Sequence, residues 1–91
     1  MKEYQYPIDI DWTTEEMITV VEMWTVLEQA YEKGIETVIF LDTYKKFKQV
    51  IRSIGEEKKL GREFEELSGY SLYRAVQEAK RTNQKRLKMK G

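Results

Sequence analysis

A chain of 91 residues is enough for one domain with a modest core and leaves no room for a second. Cysteine and histidine are both absent, which excludes disulfides, thiolate nucleophiles, zinc fingers and every imidazole-based acid–base scheme. Sixteen basic residues balance sixteen acidic ones, so no global field draws the chain to nucleic acid or to a membrane.

The charge is uneven along the chain. Residues 1–32 carry eight acids and one base, whereas residues 80–91 carry six bases and no acid. The longest apolar run, Val38-Ile39-Phe40-Leu41, falls far short of the ~20 residues that cross a bilayer. The opening Met1-Lys2-Glu3-Tyr4-Gln5-Tyr6 lacks the apolar stretch of an export signal, so the expected location is the cytoplasm, with no membrane partner.

Tyr4, Tyr6, Ile8, Ile10 and Trp12 alternate with Gln5, Pro7, Asp9 and Asp11. This period of two predicts an extended arm over 3–12, its aromatic and aliphatic edge laid between helices. Thr13-Thr14-Glu15-Glu16 reads as a capping box that opens a helix over about 14–33. Its apolar stripe is Met17, Val20, Trp24, Leu27 and Tyr31, and Met23 and Val26 widen it beyond what one neighbour needs. Gly34 supplies the stop.

A second helix is expected over about 36–52 from Phe40, Tyr44, Phe47 and Ile51, although Thr37–Leu41 taken locally favours a strand. Ser53-Ile54-Gly55-Glu56 reads as another capping box, for a third helix over about 54–68 with Leu60, Phe64 and Leu67 on a thin stripe. Gly61 costs that helix about 1 kcal/mol relative to Ala and would admit a close neighbour. Ser68-Gly69 ends it. Ser71 caps a fourth helix over about 72–81, with Tyr70 placed to staple onto Ala75, and Leu72, Tyr73, Val76 and Ala79 form its apolar side.

Residues 82–91 are expected to prolong that helix or to be disordered, as a basic tail. The predicted fold is all-α: one domain over 1–81, a small four-helix bundle with an N-terminal aromatic arm and a basic C-terminal tail. Helices one and two should carry most of the core.

Four strings carry a family resemblance: Tyr4–Glu16, Ala30-Tyr31-Glu32-Lys33-Gly34, Tyr44-Lys45-Lys46-Phe47-Lys48 and Gly69–Gln77. Over about residues 3–80 the chain resembles the YktA-like family of short uncharacterised proteins from low-GC Gram-positive bacteria. The resemblance implies a helical domain in a bacterial cytoplasm. It brings no activity, substrate or site residue, and it leaves the basic tail outside.

Candidate sites are few. Asp9, Asp11, Glu15 and Glu16 could gather carboxylates for a hard divalent ion, but the spacing is not that of a calcium loop, and the helix terminus gives these acids ordinary duties. No metal or cofactor site is expected. Lys45, Lys48 and Arg52 share one face of helix two, and Lys85, Arg86 and Lys88 stand in the tail. Both sets are candidate phosphate contacts, against the plainer reading of a solvated face and of cations complementing a helix end. Met23 and Val26, on the wide flank of helix one, are candidate interface residues for a protein partner or a homodimer. Serine hydroxyls have no histidine to activate them, and no catalytic residue is expected. The predicted function is a non-enzymatic protein-interaction module; the alternative is a weak nucleic-acid- or ribosome-associated protein using the tail and the helix-two lysines.

Overall fold

A computed structural model describes residues 5–90; Glu3 and Tyr4 of the expected arm lie outside that range. Four helices follow in order: α1 (Thr14–Glu32), α2 (Thr37–Val50), α3 (Ile54–Ser68) and α4 (Leu72–Arg81). Two short strands, β1 (Ile35–Glu36) and β2 (Arg86–Leu87), pair antiparallel with Ile35 opposite Leu87 and Glu36 opposite Arg86. The architecture is therefore mostly helical, with one small β contact that an all-α reading does not include.

Local chemistry sets the helix ends. Thr13 Oγ1 accepts from the Glu16 amide and the Glu16 carboxylate accepts from the Thr13 amide, a complete capping box. Ser53 Oγ accepts from the Glu56 amide at 3.4 Å, but no return bond from Glu56 completes that box. Ser71 Oγ accepts from the Arg74 amide. Gly34 and Gly69 take φ of 88° and 83°, a left-handed conformation that costs glycine little and closes α1 and α3. Helix α2 stops at Val50 rather than 52, because Ile51 turns extended and points into the core.

The core centres on Trp24, which is fully enclosed. Its ring stacks on Phe64 at 4.7 Å and meets Phe47 edge-on at 5.6 Å. Its indole N–H donates to the Pro7 carbonyl at 3.2 Å, which ties the N-terminal arm to α1. Helix α1 packs chiefly on α2, α2 also on α4, and α3 on α4. All four helices contribute: α4 buries Leu72, Ala75, Val76 and Ala79, whereas α2 buries only Thr37, Phe40 and Phe47. Helices α1 and α2 thus share the core with α4 more evenly than the sequence suggests.

The arm departs from its predicted alternation. Pro7 is buried while Ile8 and Ile10 face solvent, Ile10 at 88% exposure. The register reverses at Pro7, whose carbonyl accepts from the enclosed Trp24 indole, and a turn follows: Asp9 Oδ1 accepts from the Asp11 amide, and the Asp9 carbonyl accepts from the Trp12 amide. An Asx turn of this kind resets the register, so a strand-like period does not carry through it. Tyr6 keeps its inward place, against Phe64 and with its hydroxyl donating to Glu28.

Residues 82–90 are neither a helical extension nor a free tail. Beyond Arg81 the chain turns back and lies across the elbow between α1 and α2. Leu87 is 2% exposed and belongs to the core. The Met89 amide donates to Ala30 O, Lys88 Nζ to Glu32 O, and Arg86 Nη2 to the carbonyls of Lys33 and Gly34. In the other direction, the Lys85 carbonyl accepts from the Thr37 amide and the Gln84 carbonyl from the Thr37 hydroxyl. The last turn of α1 holds no basic side chain, and Glu36 makes no side-chain cap for α2. The returning segment supplies both deficits, donors and cations to a helix C-terminus and acceptors to a helix N-terminus. We call it the clasp.

Candidate functional site

The clasp decides the fate of half the predicted nucleic-acid contacts. Arg86 and Lys88 remain exposed, but their charged ends donate to the carbonyls of Glu32, Lys33 and Gly34 at the end of α1 and just beyond it. Lys85 contributes its carbonyl to α2, and its side chain is exposed. Arg52 is exposed, with its Nε donating to the Gln49 carbonyl. Lys45 and Lys48 instead line a trough formed by α2, α3 and α4.

The other candidates resolve simply. Met23 is fully enclosed, so the wide flank of α1 is core at that position, and Val26 is half-buried against the same core. Helix α1 needs the width because α2, α4 and the arm all rest on it. The carboxylates of Asp9 and Glu16 accept backbone amides in the turn and the cap. Among the described residues no group of three or more acids is placed to hold a metal ion. Tyr70 stacks on Tyr31 at 4.6 Å and donates to Glu32, so its ring finds a partner on α1.

The trough has a volume of ≈ 780 Å³ and opens to solvent, within the usual range for binding sites. From α3 it takes Ile54, Glu57, Lys58, Gly61, Arg62 and Glu65, spaced along one helical face. From α4 it takes Leu72, Tyr73, Val76, Gln77 and Lys80. Capping by Ser53 and Ser71 fixes where these helices begin, and the left-handed Gly69 fixes the reversal between them. Gly61 sets the floor, since a Cβ there would lie 3.6 Å from the Leu72 side chain. Ile54 and Tyr73 stand at the rim, 66% and 70% exposed.

One wall is a small polar network. Tyr44 donates to Glu57 Oε2 at 2.7 Å, and Lys48 pairs with the other oxygen of the same carboxylate. Lys80 Nζ lies 5.6 Å from the Tyr44 ring centre, within cation–π range. Burial, and then the Glu57 carboxylate, pushes the Tyr44 phenol well above its ordinary value, because both disfavour a phenolate. Tyr44 is therefore a neutral donor here, a fixed post rather than an acid or base at neutral pH. Lys45, Lys58, Arg62 and Lys80 make no ion pair among the described residues. The trough is apolar at its base and positive at its edge. Periodicity placed Leu72, Tyr73, Val76 and Ala79 on one apolar side of α4; Leu72, Val76 and Ala79 are buried there, but Tyr73 turns out to the rim, and Ile54 lies off the stripe of Leu60 and Phe64 on α3.

The Ser53 and Ser71 hydroxyls act as caps, and the sequence offers neither histidine nor cysteine. Among the described residues no helix is long and apolar enough to cross a membrane.

Comparison with known proteins places the chain among small proteins of similar length. The chain is 61% identical over 89 residues to a UPF0223 protein of Enterococcus faecalis, covering 98% of this chain and 97% of that one. It is 52% identical over 85 residues to one from Bacillus cytotoxicus, covering 93% and 96%. A protein of the same name from Streptococcus pneumoniae is 56% identical over 79 residues, covering 87% and 86%. The matching family model spans residues 3–88 and so takes in most of the clasp, where the likeness read from sequence stopped at about 80. By that match the chain is a member of the uncharacterised protein family UPF0223.

Proposed function

We propose that this protein is a non-enzymatic interaction module of the bacterial cytoplasm, and that the trough between α2, α3 and α4 is its working surface. The observation that supports this reading is the pairing of exposed rim residues, Ile54 and Tyr73, with an apolar floor. Large apolar side chains left at the edge of a concavity are a feature of docking sites. A role in nucleic-acid binding through the tail is the weaker reading, because Arg86 and Lys88 are engaged with α1.

The test is crosslinking in cells with the full chain as bait, after nuclease treatment, comparing wild type with an Ile54→Glu, Tyr73→Glu double variant. Both side chains are exposed, so the variant should fold. Wild type should capture one or more proteins that the variant loses. Equal capture by both, or capture that disappears with nuclease, would overturn the reading. A captured second copy of this chain, lost in the variant, would make the module a homodimer.

A further inference from the structure

The trough selects among partners by charge as well as by shape. Its lining carries five cations, Lys45, Lys48, Lys58, Arg62 and Lys80, against two carboxylates, Glu57 and Glu65. Glu57 is already committed twice, to Lys48 and to the Tyr44 hydroxyl. What remains toward solvent is a surplus of positive charge around Ile54, Leu72 and Val76. The chain is neutral overall, so this surplus is local.

Dimensions narrow the ligand further. The α3 wall runs from Ile54 to Glu65, which at 1.5 Å per residue is about 16 Å, or three helical turns. A trough of that length with an apolar floor suits a short amphipathic helix, with one face of anchors and the other of charges. Nucleic acid fits less well: the aliphatic floor offers a phosphate nothing, and Tyr44, a potential stacking ring, is flanked by Lys48 and Lys80.

Building on the reading of the trough as a docking surface, we infer that its occupant is an acidic amphipathic segment of a partner protein. Its aliphatic or aromatic anchors seat against Leu72, Val76 and Ile54, and its Asp or Glu side chains face Lys45, Lys58, Arg62 and Lys80. Each cation–carboxylate contact made at the rim contributes modestly. Their sum sets which partners are accepted, and screening by salt weakens them.

Selection from a display library of random peptides of about 16 residues, with the full-length protein as target, tests this. Enriched peptides should combine several Asp or Glu with Leu, Phe, Ile or Trp at helical spacing. Lys58→Glu with Arg62→Glu should weaken a selected peptide about tenfold, and changing its acids to Lys should restore binding to that variant. Circular dichroism of the double variant checks that the fold is intact. Enrichment of basic or neutral peptides, no enrichment, or affinity indifferent to the double reversal would overturn the inference. Displacement of the selected peptide by a 12-nucleotide oligouridylate, with the RNA itself binding more tightly, would overturn it in favour of nucleic acid. Proteins captured in cells through Ile54 and Tyr73, alongside any of these failures, would leave the docking reading standing and remove only its acidic specificity.

Discussion

The clasp and the trough are both rich in lysine and arginine, yet the two regions use that charge in opposite ways. In the clasp, Arg86 and Lys88 donate to the carbonyls of Glu32, Lys33 and Gly34, at the end of α1 and just past it, at 3.0–3.3 Å. In the trough, four of the five cations find no carboxylate within the described residues. Composition alone would rank the tail first as a binding element. Geometry separates them: Arg86 and Lys88 are engaged with backbone carbonyls, whereas Lys45, Lys58, Arg62 and Lys80 make no ion pair among the described residues.

That contrast can be broken most severely at Leu87. If the clasp is structural, Leu87→Ala should cost about 2–4 kcal/mol, the range for truncating a buried aliphatic side chain, measured by urea unfolding. A loss below 0.5 kcal/mol would mean the segment is dispensable decoration. Next in size is Gly34→Ala. The residue must adopt φ of 88°, and its new Cβ would lie 2.9 Å from Arg86 Nε. A penalty of about 1–2 kcal/mol follows from the left-handed backbone alone, with more if Arg86 cannot move aside. A variant as stable as wild type would show that the elbow relaxes freely.

Gly61→Ala sharpens the other side of the comparison. The added methyl would make an ordinary 3.6 Å contact with Leu72, so the helix should gain up to about 1 kcal/mol from propensity, seen as a higher melting temperature. A loss of stability would place the α3–α4 approach closer than described. The smallest expected effect is at Tyr44. Its folded-state phenol titrates above the ordinary value of 10.0, so the stability it contributes is present below that pH. It is lost as the pH rises from about 10 toward the folded value, because the unfolded phenol gives up its proton first. Unfolding free energy should fall over that alkaline range, and Tyr44→Phe should flatten the fall. An unchanged slope would mean that Tyr44 is not held as described.

Much of the helical framework was legible before any coordinates. Thr13, Ser53, Ser71, Gly34 and Gly69 mark element ends through short-range hydrogen bonding and backbone conformation, which a sequence displays directly. Helices α3 and α4 fall on their expected spans. What failed had non-local causes. Met23 looked surplus because the number of neighbours around α1 is a tertiary fact. The alternation in the arm broke where Pro7 docks on Trp24 and again at the Asp9 turn. The tail was misread because β2 is two residues long, too short for any period, and because the meaning of Arg86 lies in carbonyls more than fifty positions earlier. The trough was half visible: Lys45 and Lys48 were named as one basic face, whereas Lys58, Arg62 and Lys80 join them only once α3 and α4 are packed.

The contacts of Arg86 and Lys88 with the elbow span 52 to 56 positions of chain. Closing so large a loop is entropically slow to repay, so these bonds should be made after the helices have assembled. Interactions absent from a transition state leave the folding rate untouched and act on its reverse. The clasp would then behave as a latch on lifetime: it governs how long an assembled molecule persists, while the helices govern how quickly it forms.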